Sequence, residues 1–280
     1  MVIRPLITDD IPDALALTRQ AGWNQTGNDW QRLLTLSPNG CFAAIADSRL
    51  AGAVSTIAYG KRLAWVGMML VDPGYRRRGI GKELMSTALN YLHHAGIGTV
   101  MLDATPDGRP LYDLFGFECR SVIERWERPP VSSHGQNIRR PIEPWRRQIL
   151  ALDREAFGAD RSILLDSLSN DSYDGPFIAV DSDRIVQGYA FARIGSRAAY
   201  LGPVVARSTV AGLRILDDAL RPIAGRDVYI DVNTDFGIGA EALEERGFRM
   251  QRSLTRMRYG KPFKAGGSNL LMAIAGPELG

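Results

Sequence analysis

A short basic and glycine-rich segment, Arg76-Arg77-Arg78-Gly79-Ile80-Gly81-Lys82, has the residue types of an anion-binding loop. It follows the apolar run Met69-Leu70-Val71 and the turn Asp72-Pro73-Gly74, and an amphipathic helix is predicted from about Gly79. Glycine lets backbone amides approach an anion closely, and the free amides and dipole at a helix N-terminus attract negative charge. Three arginines add positive charge nearby. The segment therefore predicts a binding site for a pyrophosphate group.

The order of residues in this segment excludes two common nucleotide-binding patterns. The Gly-x-x-x-x-Gly-Lys-Ser/Thr order of a P-loop is missing, and no dinucleotide-binding glycine fingerprint follows directly after the strand. The alternative is a glycine-rich loop that merely opens a surface helix. The strand before the segment, the Asp72-Pro73 turn and the helix after it favour the anion site.

The periodicity of apolar residues and the positions of turn formers predict alternating strands and helices, and hence an α/β fold with a mixed sheet. In the first half of the chain, strands are predicted over residues 2–6, 41–47, 50–59, 62–71, 98–104 and 118–127, and helices over 11–21, 29–36, 79–96 and 109–115.

The chain contains an internal repeat. Shifting the sequence by 135 residues aligns residues 3–67 with 138–202 without a gap and gives 18 identities in 65 positions. Composition alone would give roughly four or five. Further along, Asp103 aligns with Asp231 at an offset of 128, so the second copy lacks about seven residues between Val71 and Asp103. We therefore predict a first domain over 1–128, a linker over 129–136 and a second domain over 137–280.

Composition limits the classes of function. The net charge is +3, with 34 basic and 31 acidic residues spread along the chain, which argues against a nucleic-acid-binding patch. No apolar run is long enough to span a bilayer, so no membrane association is expected and a cytoplasmic location is the default. Cys41 and Cys119 lack the spacing of a zinc site or a disulfide framework and are expected to be reduced, mostly buried thiols. We expect no metal site.

Two segments together resemble a known family. Arg76–Gly81 resembles the acyl-CoA loop of the GNAT superfamily of N-acyltransferases. The segment Leu111-Tyr112-Asp113-Leu114-Phe115-Gly116-Phe117 is similar to a second motif of that family and follows the next predicted strand. The resemblance covers residues of about 45–120 and implies a twisted, mostly antiparallel sheet flanked by helices in each half. The whole chain resembles bacterial two-domain GNAT proteins whose second domain is a degenerate copy.

The resemblance implies an acetyl-CoA site. Met69, Leu70 and Val71 would hydrogen-bond the pantetheine arm, and the amides of Arg77–Lys82 would wrap the pyrophosphate. The hydroxyl of Tyr112 would lie near the sulfur, where it can protonate the leaving thiolate as a general acid. The alternative for Tyr112 is a half-buried aromatic residue whose hydroxyl meets water. The implied cofactor-binding residues are Met69, Leu70, Val71, Arg76, Arg77, Arg78, Gly79, Ile80, Gly81 and Lys82.

The acceptor side is less defined by sequence. The segment 22–30 lies where the family has part of its acceptor pocket, so Trp23, Asn24 and Trp30 are candidate substrate contacts; the alternative is that both tryptophans pack the helices. Residues 64–71 carry no acid or histidine, so the general base that some relatives place on this strand is missing. Asp103 is a candidate beside the cleft, but its counterpart Asp231 favours a structural role.

The second copy has lost the residues that suggest chemistry. No Gly-x-Gly pair follows its strand, and Leu243 stands in the place of Tyr112. We expect it to bury a sheet edge or close the acceptor pocket, and the apolar run 270–275 to form a further strand or docking segment. The sequence thus predicts an N-acetyltransferase for a small-molecule amine, with a protein amine as a second choice. The alternative is a non-catalytic acyl-CoA-binding sensor or structural module.

Overall fold

A computed structural model describes residues 1–131, 142–235, 237–263 and 266–280. The chain forms two compact units. Unit 1 comprises residues 1–119, 257–263 and 278–280, and unit 2 comprises residues 120–256 and 264–277.

Unit 1 is a mixed sheet flanked by helices, as predicted. Strands β1 to β4 are antiparallel neighbours, β4 and β5 are parallel, and the end of β11, Met257–Gly260, follows β5. The elements are β1 (Val2–Pro5), α1 (Ile11–Gln20), α2 (Gly27–Leu36), β2 (Cys41–Ala46), β3 (Arg49–Tyr59), β4 (Leu63–Val71), α3 (Ile80–His94), β5 (Thr99–Ala104), α4 (Arg109–Leu114) and β11 (Arg249–Gly260).

Unit 2 repeats this arrangement with its own elements. Its sheet runs in the order β11, β6, β10, β9, β8, β7, where β9 and β10 are parallel and β12 pairs with β9. The elements are β6 (Glu118–Arg128), α5 (Arg146–Phe157), α6 (Ser162–Asp171), β7 (Phe177–Val180), β8 (Val186–Ile194), β9 (Ala199–Ala206), α7 (Thr209–Leu220), β10 (Val228–Asn233), α8 (Ala240–Glu244) and β12 (Leu271–Ala273). The apolar run 270–275 therefore contains a strand, as the sequence predicts.

One face of the unit 1 sheet is covered by α3 and α4. Apolar side chains from the strands, such as Val54 and Val66, pack there against Leu84 and Met85 of α3. The predicted helices and strands of this unit agree with the structure to within about two residues. The start of α2 differs by two residues, because Thr26 and Asp29 form a capping box that begins the helix at Gly27. Thr26 Oγ1 accepts from Asp29 N, and Asp29 Oδ2 accepts from Thr26 N at 2.7 Å.

The compact units do not follow the division of the chain into two repeats. Most of β6, which ends the first repeat, belongs to unit 2 and pairs with β10. The end of β11 belongs to unit 1, where Lys261 N donates to Gly98 O at 2.9 Å and Thr99 Oγ1 donates to Lys261 O at 2.9 Å. The predicted linker over 129–136 lies largely outside the described residues, and the start of the predicted second domain lies there too.

Two further expectations concern composition. In the described parts of the chain, no helix is long and apolar enough to cross a membrane. Both cysteines are free thiols, and burial raises the pKa of Cys41 to about 12. Cys119 is exposed, so the expectation of two buried thiols is wrong for it, because it lies near the start of β6 where the side chains face solvent.

Candidate active site

Strand β4 is irregular where the acetyl-CoA site is expected. Its ladder with β5 covers Leu63–Trp65 and then ends, so the two strands diverge beyond that point. On its other side, Ser55 opposes Gly67 while Ala53 opposes Leu70, which makes a β-bulge at Met68 with a positive φ of 49°. A bulge bends a strand and leaves backbone groups outside the ladder. The run Met69–Val71 thus lies on the part of β4 beyond its ladder with β5, and Arg76 Nε donates to Val71 O at 3.3 Å.

The loop after β4 leads directly into the N-terminus of α3. Asp72 accepts a hydrogen bond from Gly74 N at 2.8 Å, which fixes the turn. Gly79 is the N-cap of α3 with a φ of 82°, a conformation that favours glycine, and it has no side chain with which to cap the helix. A Cβ on Gly79 would meet nothing within 4 Å. The first amides of a 15-residue helix are therefore left for an anion.

The positive charge around this helix end lies in solvent. Arg76, Arg77, Arg78 and Lys82 are all exposed. The guanidinium of Arg78 stacks over the ring of Tyr75 at 5.0 Å and donates to Gly74 O at 3.1 Å, so it is held beside the loop. Exposed cations next to uncapped helix amides suit a phosphate-rich ligand.

Helix α4 lies near the start of α3. A Cβ on Gly81 would lie 3.4 Å from Leu111 Cδ2 and 3.8 Å from Val71 Cγ2, so Leu111, the neighbour of Tyr112 in sequence, and the end of β4 both lie close to the helix start. Tyr112 is 8% exposed and its ring packs against Phe117. Burial raises the pKa of Tyr112 well above its ordinary value, so the hydroxyl stays protonated at neutral pH and can donate a proton.

The candidate acceptor residues between α1 and α2 have different environments. Trp30 is fully buried, and its indole nitrogen donates to Thr18 Oγ1 at 3.0 Å, which places it in the packing of α1 against α2. Asn24 is also buried, whereas Trp23 is half-buried. The packing alternative therefore describes Trp30, while Trp23 lies nearer the surface.

Sequence reasoning missed one acidic residue of unit 1. Glu278 is 2% exposed and lies against β4: a Cβ on Gly67 would be 2.8 Å from Glu278 Cα. Gln25 Nε2, in the segment between α1 and α2, donates to Glu278 Oε2 at 2.7 Å. The next residue also contacts this sheet, because the Tyr59 hydroxyl of β3 donates a hydrogen bond to Leu279 O at 2.5 Å. No local sequence motif marks Glu278, so no sequence signal could have found it.

Asp103 lies half-buried on β5, near the point where β5 and β4 diverge. Its counterpart in unit 2, Asp231, is fully buried and forms a bidentate pair with Arg125 at 2.8 and 2.7 Å. The Tyr200 hydroxyl donates to Asp231 at 3.0 Å. The carboxylate at this position of unit 2 therefore has a structural role.

The loop between β4 and α3, which the sequence predicts to bind an anion, is much shorter at the equivalent place in unit 2. Only residues 207–208 separate β9 from α7, compared with residues 72–79 in unit 1, so the missing residues come mainly from the loop. Ser208 caps α7, because its side chain accepts a hydrogen bond from Ala211 N at 3.2 Å. Gly79, the N-cap of α3, makes no such side-chain hydrogen bond to the first turn of its helix. Leu243, the fourth residue of α8 as Tyr112 is of α4, is fully buried.

Strand β12 occupies the place in unit 2 where β9 and β10 diverge. The parallel ladder of β9 with β10 covers Ala199–Tyr200, and Val204 and Val205 pair instead with β12. On the opposite side, Ile274 N donates to Asp231 O of β10 at 3.0 Å. The gap between the diverging strands β9 and β10 in unit 2, which corresponds to the gap between β4 and β5 in unit 1, is thus filled by β12 and Ile274.

Comparisons with known proteins agree with this duplication. Residues 8–117 match the acetyltransferase (GNAT) family, and residues 149–271 match an acetyltransferase (GNAT) domain. The chain belongs to the GNAT superfamily. It is therefore a tandem GNAT protein and an acyltransferase, and both GNAT folds predicted from the sequence are confirmed.

Several relatives share both halves of this GNAT protein. It is 26% identical to the uncharacterized N-acetyltransferase YitH of Bacillus subtilis, over 86% of this chain and 85% of that one. It is also 26% identical to the holothin acyltransferase of a Pseudoalteromonas strain, over 92% and 87% of the two chains. The crystal structure of a putative acetyltransferase from Pyrococcus horikoshii has the same fold, with a TM-score of 0.82 and 23% identity over 100% of this chain and 95% of that chain.

Potential metal-ligating side chains are not clustered in the part of the chain that the structure describes. Among the described residues, no group of three or more His, Cys, Asp or Glu side chains is arranged to hold a metal ion.

Proposed function

We propose that this GNAT protein transfers the acetyl group of acetyl-CoA to the amine of a small molecule, and that acetyl-CoA binds unit 1. The observation that carries the proposal is the uncapped N-terminus of α3 at Gly79, which lies after a strand that diverges from its neighbour. Pantetheine is an extended amide-containing chain, and the diverging backbone of Met69–Val71 offers it strand-like hydrogen bonds. The amides of α3 and the exposed arginines suit its pyrophosphate.

The residues of unit 1 have separable roles in this reaction. Bound acetyl-CoA supplies a thioester carbonyl that an amine can attack. The backbone of β4 orients the thioester, and the helix start holds the phosphates. Tyr112 keeps its proton because of burial and donates it to the leaving sulfur. The short distance between Gly81 and Leu111 brings this tyrosine's helix beside the phosphate loop.

An amine acceptor is supported by the polar groups between α1 and α2. Asn24 and Gln25 provide amide groups beside the half-buried Trp23, a combination that suits a small polar molecule. Within the described residues, the buried Gln25 Oε1 has no hydrogen-bond partner, and such an acceptor atom is satisfied by an N–H donor.

The direct experiment is release of free CoA thiol from acetyl-CoA in the presence of single amines. A suitable panel contains ethanolamine, tyramine, glucosamine, spermidine, lysine and a short peptide with a free N-terminus. We expect amine-dependent thiol release and a product heavier than the amine by one acetyl group. Thiol release that is independent of every amine would contradict the proposal, and release with the peptide alone would replace the small molecule by a protein acceptor.

A further inference from the structure

The proposed transfer requires a proton acceptor that β4 itself does not provide. When a neutral amine attacks the thioester, the C–N bond forms and the nitrogen must lose a proton. Residues 64–71 contain no acid or histidine. The part of β4 nearest the expected thioester site therefore has no side chain that can accept a proton from the amine. A residue from another segment must accept it.

Glu278 is placed beside this part of β4 by close packing on Gly67. A Cβ at Gly67 would be 2.8 Å from Glu278 Cα, 2.9 Å from Glu278 Cβ and 3.0 Å from Glu278 O. No side chain other than hydrogen fits between the two segments. Gly67 precedes Met69 by two residues, which is about 7 Å along a strand. Glu278 thus lies close to the start of Met69–Val71, the segment that is proposed to bind pantetheine.

The hydrogen bond from Gln25 orients the Glu278 carboxylate. Carboxylate oxygens only accept, so the group of Gln25 at 2.7 Å must be its amide nitrogen, and Oε1 points elsewhere. That Oε1 is buried and, among the described residues, has no hydrogen-bond partner. Gln25 is half-buried, whereas Glu278 is 2% exposed, so the buried carboxylate is bonded to a residue that is partly in contact with solvent. The Glu278 carboxylate thus has a neighbouring residue, Gln25, whose second polar atom can still accept an N–H group.

We propose that Glu278 is the general base of the transfer, an inference that rests on the proposed function. The amine nitrogen forms its bond to the acetyl carbon and passes a proton to the Glu278 carboxylate, directly or through one water. The C–S bond breaks, its electron pair leaves with sulfur, and Tyr112 supplies the proton that makes the thiol. Solvent then takes the proton from Glu278 and returns one to Tyr112, so the net products are the acetylated amine and CoA.

The test compares Glu278→Gln and Glu278→Ala with Glu118→Gln, using acetyl-CoA and the best amine of the panel. Glutamine keeps the shape of the side chain and can still accept from Gln25, so the fold is retained. Glu118 is an exposed residue of unit 1 and serves as the matched control. We expect Glu278→Gln to lower kcat by about 100-fold while the acetyl-CoA dissociation constant stays within about twofold, and Glu118→Gln to resemble the wild type.

Chemical rescue separates a base from a structural carboxylate. Added formate should raise the kcat of Glu278→Ala by at least about tenfold, because a small carboxylate can occupy the space that the side chain leaves. A wild-type kcat in Glu278→Gln, or a loss that formate leaves unchanged in Glu278→Ala, would overturn the inference and leave the proposed function standing. Absence of transfer by the wild-type protein would overturn the proposed function itself.

Discussion

Gln25 and Glu278, which are 253 residues apart in sequence, are joined by a hydrogen bond of 2.7 Å within unit 1. A hydrogen bond to a charged group contributes about 1.5–3 kcal/mol. We predict that Gln25→Leu, which removes the N–H donor at similar size, lowers kcat roughly tenfold through misorientation of the carboxylate. Steady-state kinetics with the best panel amine measures this. An unchanged kcat with a raised KM would show that Gln25 only binds the acceptor.

Tyr112→Phe tests the general acid. The variant keeps the ring that packs against Phe117 and removes only the hydroxyl, so stability should change little. We expect kcat to fall by at least about tenfold while the acetyl-CoA dissociation constant is nearly unchanged. Because burial raises the Tyr112 pKa, the wild-type activity should show no loss from its deprotonation up to about pH 10. Wild-type turnover by the phenylalanine variant would mean that the thiolate leaves unaided.

Asp231→Ala tests the structural role of the unit 2 carboxylate. The change leaves Arg125 buried without its bidentate partner, which typically costs about 3–5 kcal/mol. Asp218→Ala is the matched control because its pair with Arg221 is solvent-exposed and contributes about 0–1 kcal/mol. Denaturant unfolding measures both variants, and acetyl-CoA affinity should be unaffected. Equal stability of the two variants would contradict the assignment.

Much of unit 1 is predictable because its signals are local. The anion loop, α3 and the helix of Tyr112 each follow from residues that are adjacent in sequence. The partner of a strand is a different matter. Strands β6 and β11 have nearly the same alternation of buried and exposed residues, so the sequence predicts both strands and cannot show which sheet each one joins. The position of Glu278 cannot be predicted from the sequence for a related reason, because its neighbours Gly67 and Gln25 are distant in sequence.

The exchange of segments predicts the behaviour of a fragment. A chain of residues 1–130 lacks residues 257–263 and 278–280, which belong to unit 1, including the fully buried Met257. It also leaves the hydrogen-bonding groups of β5 near Gly98 and Thr99 without Lys261. We expect the fragment to aggregate or unfold at a lower temperature than the full chain, measured by size-exclusion chromatography and thermal melting. A soluble, monomeric and fully active fragment would contradict this.

The most direct measurement is calorimetric titration of acetyl-CoA into the wild type, Gly81→Glu and Val210→Glu. Both positions are the second residue of a helix, in α3 and α7 respectively, and Val210 is 80% exposed. A glutamate in the first turn suits the helix dipole, so both variants should fold. We predict one equivalent bound per wild-type chain, no measurable binding in Gly81→Glu, and unchanged binding in Val210→Glu. Two equivalents in the wild type, or unchanged affinity in Gly81→Glu, would contradict a single acetyl-CoA site at the start of α3.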